Sequence, residues 1–301
     1  MEEILRATTD VVAQKPQFIK ASDGVSLAHY VFMPEQAPEN IIIFYHGGGI
    51  WSNKSYQYMA QQCADQNIGV YLFDIRGHGN SGGPRGDAPS AQTVWGDIDA
   101  AIRHVRAQHP HAKLFLGGHS SGGGLVLNYT KFDGAREIKN IAGYLLLAPY
   151  LGPRSQSNRE LKDLDKRFVK RVDMFRLLIN AFLGGFFFEH SPVIFFNYPA
   201  WVHNVDSLVV KSYTCAMSKA ISLHGQEEVF EKIDKSLAVF IGSEDEQFIP
   251  EEVIAYVQHC KNQRLIAEIV PGSKHLSIIL DASRLFAGAL KTWGFTGDER
   301  N

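Results

Sequence analysis

Lys113-Leu114-Phe115-Leu116-Gly117-Gly118-His119-Ser120-Ser121-Gly122-Gly123-Gly124-Leu125-Val126-Leu127 is the stretch that decides the reading of this chain. An apolar run, a Gly-x-Ser-x-Gly turn and a helical start of small residues follow one another without a break. A serine hydroxyl is a weak nucleophile until a sharp strand-to-helix turn lifts it clear of the sheet and sets it beside a base. Glycines two before and two after Ser120 let the strand and helix backbones approach closely, with no Cβ between them. Ser120 is therefore the candidate nucleophile; the plain alternative is a glycine-rich turn whose serine caps a helix.

Outward from this turn, short apolar runs alternate with helical spacing. Residues 17–22 and 25–33 predict two strands around a turn at Asp23-Gly24. Ile41–Tyr45, Val70–Phe73 and Ile141–Leu147 are apolar runs of the kind buried on both faces of a sheet, and Leu237–Ile241 and Leu265–Val270 complete the set of strands. Residues 54–66 can be helical, 90–108 repeat apolar positions at helical spacing, and a closing helix is expected from about Leu276 to Trp293. Strands alternating with helices predict an α/β fold, a mostly parallel central sheet flanked by helices, with chemistry gathered where strand C-termini open into loops. Residues 151–220 break the alternation. Phe168, Val172, Phe175, Ile179 and Phe182 step by three or four, and the stretch reads as a helical cap inserted after the sixth strand. The core is then 1–150 and 221–301, the cap or lid 151–220.

A nucleophilic serine needs a base, and the base an orienting acid. Asp245 follows one predicted strand and His275 another, both downstream of Ser120. Asp245 is the expected acid, with Glu244 and Glu246 as competing neighbours. His275 is the expected general base. His46-Gly47-Gly48-Gly49 also follows a strand, and its glycines leave amides free to meet a developing oxyanion. The Gly48 N–H and the N–H of Ser121, the residue after the nucleophile, are the expected donors. Asp74-Ile75-Arg76-Gly77-His78-Gly79-Asn80-Ser81 reads as a structural loop, and Asp97 and Asp99 as ordinary polar positions on a helix.

The 301 residues fit one large domain or a core with an insertion. A net charge of −2, without a long run of either sign, argues against nucleic acid as a partner. Cys63, Cys215 and Cys260 are few and far apart, which fits a reducing compartment and offers no zinc pattern. The acidic N-terminus lacks an apolar signal core, and no stretch is long and apolar enough to span a bilayer, so a cytoplasmic protein is expected.

Together these motifs resemble the α/β-hydrolase superfamily, in its monoacylglycerol lipase, lysophospholipase and serine-aminopeptidase-like branch. The Asp-x-Arg-Gly-His-Gly-x-Ser stretch at 74–81 is the most branch-specific. The triple glycine after His46 is more typical of hormone-sensitive-lipase-like esterases. The resemblance implies Ser120, Asp245 and His275 as a catalytic triad, Gly48 and Ser121 as the oxyanion hole, and a mobile cap at 151–220. It implies hydrolysis of carboxylic esters through an acyl-enzyme, with no cofactor and no metal. Phe175, Phe182, Phe186, Phe187, Phe188, Phe195 and Phe196 in the cap suggest an apolar acyl substrate such as a monoacylglycerol or lysophospholipid, and leave peripheral membrane contact open. The alternatives are an aminopeptidase or amidase of the same fold, or a slow ligand-binding receptor or scaffold. The oligomeric state is not read from the sequence.

Overall fold

The computed structural model describes residues 2–160, 168–198, 208–223 and 225–296. In chain order these form α1 (Glu2–Ala7), β1 (Gln17–Lys20), β2 (Ser26–Phe32), β3 (Asn40–Tyr45), α2 (Lys54–Ala64), β4 (Ile68–Phe73), α3 (Ala91–Gln108), β5 (Lys113–His119), α4 (Ser121–Thr130), a 3₁₀ turn at Ile138–Asn140 and β6 (Ile141–Leu147). They continue with β7 (Val169–Val172), α5 (Met174–Phe182), β8 (Pro192–Phe196), β9 (Ser212–Thr214), α6 (Cys215–Ile221), α7 (Gln226–Lys232), β10 (Ser236–Gly242), α8 (Pro250–Val257), β11 (Leu265–Val270) and α9 (Ile278–Thr292).

Eight strands make one sheet in the order β1-β2-β4-β3-β5-β6-β10-β11. The β1–β2 and β2–β4 pairs are antiparallel and all the others parallel. The first hairpin turns at Gly24, whose φ of +82° suits glycine. Side chains alternate along β3: Ile41, Ile43 and Tyr45 enter the cluster with α3 and α4, while Ile42 and Phe44 enter the one with α2 and α9. Both faces are thus covered, which is why these strands read as unbroken apolar runs. Each Ile, Leu or Phe buried there contributes roughly 1.5–3 kcal/mol. Register aligns the strand ends: Tyr45 lies opposite both Phe73 and Gly118, and His119 opposite Leu147. The loops after β3, β4, β5 and β6 therefore open at one rim.

Between β6 and β10, the described residues of 151–220 mix both kinds of structure. The helical spacing holds only from Met174, where Asp173 caps α5 by accepting from the Arg176 amide. Upstream, Val169–Val172 instead pairs with β8, which also pairs with β9, both antiparallel. The charged, β-branched sequence of β7 gives it an exposed strand's composition.

His29 on β2 is 1% exposed, and among the described residues neither ring nitrogen has a hydrogen-bond partner. It lies against Tyr71, Phe73 and His104. Burial, aided by His104, lowers its pKa to about 4. Burial also lowers His46 to about 4 and His78 and His119 to about 3. A histidine depressed in the fold leaves stability intact above its unfolded value of about 6.5 and withdraws it as pH falls toward the folded value. His29 alone should remove about 2 kcal/mol by about pH 5. We expect urea midpoints to fall between neutral and mildly acidic pH, and His29→Phe to shrink that fall. An identical pH dependence in parent and variant would contradict this account.

Candidate active site

Ser120 stands between β5 and α4 with φ +53° and ψ −118°, a conformation costing roughly 1–3 kcal/mol for a residue with a Cβ. The turn is held by backbone bonds. Ser120 N–H donates to Leu147 at 3.0 Å, and its carbonyl accepts from Gly124 at 3.1 Å and Tyr150 at 2.9 Å. Its glycines answer to distance. A Cβ on Gly118 would lie 2.4 Å from Gly122 backbone atoms, and one on Gly122 would lie 2.3 Å from the Tyr45 carbonyl oxygen. Strand, turn and helix are packed main chain to main chain, which only glycine permits.

The structure brings the three expected side chains together. Nε2 of His275 lies 3.0 Å from Ser120 Oγ, and Nδ1 lies 2.8 Å from Asp245 Oδ2. Asp245 Oδ1 accepts from the Gln247 and Phe248 amides at 2.8 and 2.7 Å. Burial pushes the Asp245 pKa up, but the charge and hydrogen bond of His275 and the two amides outweigh it and hold the carboxyl below its ordinary range. A carboxylate at Nδ1 favours the tautomer with its proton there, leaving Nε2 to accept from Ser120. Glu246 takes a different place from Asp245: its Oε2 accepts from the His275 amide at 3.0 Å. The Phe248 ring meets the imidazole edge-on at 5.0 Å.

The loop after β3 is arranged with similar economy. Gly47 N–H donates to Tyr56 Oη at 2.8 Å and Gly49 N–H to Tyr213 Oη at 2.6 Å. Among the described residues, the Gly48 and Ser121 amides donate to no protein acceptor. The two residues are neighbours: a Cβ on Gly48 would lie 2.6 Å from Ser121 Oγ. His46 fixes the direction of the Gly48 N–H. Its Nδ1 donates to the Gly47 carbonyl at 2.8 Å, and its Nε2 accepts from Ile75 N–H at 3.0 Å. The Gly47 carbonyl and the Gly48 N–H share one trans peptide plane, so they point opposite ways.

Other expected positions have structural partners. Asp74 accepts from the Ser52 and Asn80 amides. Arg76 makes paired bonds to both Asp97 and Asp23. Asp97 and Asp99 are not ordinary polar positions but buried members of networks: Asp99 accepts from Tyr129 and from the Arg136 and Glu137 amides. The sequence reading missed Tyr56, His119 and Tyr213. His119 Nδ1 accepts from Tyr56 Oη at 2.8 Å while its Nε2 donates to the His275 carbonyl at 2.8 Å. Of the cap acids that an ammonium-binding site would need, Asp173 caps α5 and Glu189 pairs with Lys219 at 2.7 Å; Asp163, Asp165 and Asp206 lie outside the described residues. Cys63, Cys215 and Cys260 are buried free thiols. No group of His, Cys, Asp and Glu among the described residues is arranged to hold a metal ion.

A mostly parallel, helix-covered sheet with a serine elbow at its rim makes this protein an α/β-hydrolase in fold. More narrowly, the chain belongs to the Hydrolase_4 family (serine aminopeptidase, S33), matched over residues 36–279. It is 29% identical over 126 residues to a monoacylglycerol lipase of Mycolicibacterium smegmatis, covering 42% of this chain and 43% of that protein. It is 27% identical over 157 residues to the monoglyceride lipase of Rattus norvegicus, covering 52% and 50%. The chain thus spans half or less of the length of these curated relatives. A soluble variant of monoglyceride lipase from Saccharomyces cerevisiae, solved in complex with a substrate analog, shares the fold with a TM-score of 0.70 at 16% identity, over 96% of this chain and 98% of that one.

Proposed function

We propose that this protein is a carboxylic ester hydrolase acting through an acyl-enzyme on Ser120. The reading is carried by one observation: a hydroxyl, an imidazole and a buried carboxylate in hydrogen-bonded series, beside two uncommitted amides. In this mechanism Ser120 Oγ attacks the ester carbonyl as His275 Nε2 takes its proton, and Asp245 stabilises the imidazolium. The oxyanion accepts from Gly48 and Ser121 N–H. His275 returns the proton to the leaving alcohol, and water then releases the acid by the same steps.

The substrate we propose is an apolar acyl ester, a monoacylglycerol or lysophospholipid, reached through residues 151–220 acting as a lid on the core of 1–150 and 221–301. Of the eleven large apolar side chains exposed among the described residues, nine lie between residues 169 and 187. They include Met174, Phe175, Leu178, Phe182, Phe186 and Phe187, with Phe182 89% and Phe186 83% exposed. Apolar area concentrated on one small insertion suits a lipid surface as the place where substrate is met. Among the described residues no helix is long and apolar enough to cross a membrane, so contact on this reading is peripheral. Free cysteines fit a cytoplasmic setting.

A substrate panel tests the reading. We expect kcat/KM on p-nitrophenyl esters to rise with acyl length, and monoacylglycerols or lysophospholipids in vesicles to be cleaved faster than the same molecules dispersed by detergent. A preference confined to acetyl and butyryl esters removes the lipid substrate. Aminoacyl amides as the best substrates replace the esterase with an aminopeptidase. A folded protein with no turnover and no fluorophosphonate labelling of Ser120 is a binding protein instead.

A further inference from the structure

The loop His46-Gly47-Gly48-Gly49 is gripped by the insertion as well as by the core. Gly49 N–H donates to Tyr213 Oη at 2.6 Å, and Tyr213 Oη lies 2.7 Å from His78 Nε2. His78 Nδ1 lies 2.9 Å from the Arg76 carbonyl, which can only accept. That contact assigns the Nδ1 proton, leaves Nε2 as an acceptor and makes Tyr213 the donor to it. The relay then runs one way, from Gly49 N–H through phenol and imidazole to the Arg76 carbonyl. Burial, aided by His46, lowers the His78 pKa to about 3, so the imidazole keeps its acceptor at neutral pH.

Tyr213 belongs to β9, one strand of the insertion's own sheet. Nearby, Val210 N–H donates to the Gly49 carbonyl at 2.8 Å, and the Phe196 ring meets Tyr213 edge-on at 4.7 Å. A Cβ on Gly49, whose φ is +71°, would run into the Tyr198 hydroxyl and the Phe196 ring. The insertion therefore seats directly on the residue after Gly48. The Gly48 carbonyl and Gly49 N–H form one peptide plane, and His46 holds the plane before it. The Gly48 N–H lies in the plane that His46 holds, and fixing the plane after it keeps rotation at the Gly48 Cα from swinging that amide out of line.

We propose that Tyr213 is a positioning residue of the active site, through which the insertion aligns the Gly48 amide for catalysis. This rests on the reading of Gly48 N–H as an oxyanion donor. A substrate carbonyl gains little from that donor until charge builds on its oxygen, so a misaligned amide is felt in kcat before KM.

Tyr213→Phe removes one oxygen and keeps the ring. We expect kcat on a p-nitrophenyl ester to fall about 10- to 100-fold with KM changed less than about threefold. Inhibition by a trifluoromethyl ketone, which forms a tetrahedral adduct on serine, weakens in proportion to kcat/KM. Thr214→Val is the control. It removes the neighbouring Thr214 Oγ1 bond to Asp87, 2.6 Å long, and the cap that Oγ1 gives the Met217 amide of α6, without touching the loop, and its kcat stays within about threefold of the parent. A Tyr213→Phe kcat within about twofold of the parent overturns the proposal, as does an equal loss in Thr214→Val, which would mean a loosened insertion. If Tyr213→Phe does not fold, His78→Leu reads the relay from its far end by the same criteria. Fluorophosphonate labelling separates the two readings: a labelled parent beside an unimpaired variant overturns the relay alone, and an unlabelled parent overturns both.

Discussion

Ser120→Ala lowers kcat for ester hydrolysis by about 10⁴–10⁶ while leaving the protein folded. The substitution removes only Oγ. Alanine keeps the Cβ, so the positive φ is neither relieved nor worsened, and the backbone bonds to Leu147, Gly124 and Tyr150 remain. The imidazole keeps Asp245, and the His275 main-chain carbonyl keeps its bond from His119 Nε2. Any loss of activity beside an unchanged melting temperature is then a loss of chemistry. The measurements are steady-state hydrolysis, fluorophosphonate labelling and thermal unfolding on the same preparations. Hydrolysis within about tenfold of the parent would assign the nucleophile elsewhere.

Asp245→Asn, an isosteric exchange, lowers kcat by about 10⁴ at neutral pH. The side chain accepts three N–H groups: His275 Nδ1 and the amides of Gln247 and Phe248. Asparagine satisfies the two amides with its single carbonyl oxygen and turns its NH₂ toward the imidazole. Nδ1 must then accept, the proton moves to Nε2, and Ser120 faces a donor where it needs an acceptor. Because the carboxyl is held below its ordinary range, the parent keeps this acid ionised across neutral and mildly acidic pH. The variant's deficit therefore persists across that window, which a kcat profile against pH reads. A deficit under about tenfold would mean that the carboxylate does not set the tautomer.

Local features carried most of what was legible in advance. Unbroken apolar runs marked strands covered on both faces, and glycines marked a turn where backbones nearly touch. The order Ser120, Asp245, His275, each after a strand, pointed to one rim, and the hydrogen bonds there join all three. Less visible were contacts with no local signature. Tyr56 reaches His119 across 63 residues and Tyr213 reaches His78 across 135; nothing beside either tyrosine distinguishes it from a packing aromatic. Asp97 and Asp99 looked ordinary because burial of a charged helix position depends on what packs over it. At β7, a helical step between Phe168 and Val172 gave way to pairing with β8. Spacing over so few residues suits either structure, and only the partner strand decides.

In the sheet, β6 and β10 pair directly, so the described residues between them add no strand to that ladder. That stretch is open to rewriting: a graft from a relative, or a redesigned loop, can offer a new surface to a ligand while the ladder stays in place. The bond from Gly49 to Tyr213 sets a condition on that freedom. If Tyr213 aligns the Gly48 amide as proposed, a graft without a phenol at that place binds its ligand and still turns it over slowly, a failure that affinity measurements alone would miss.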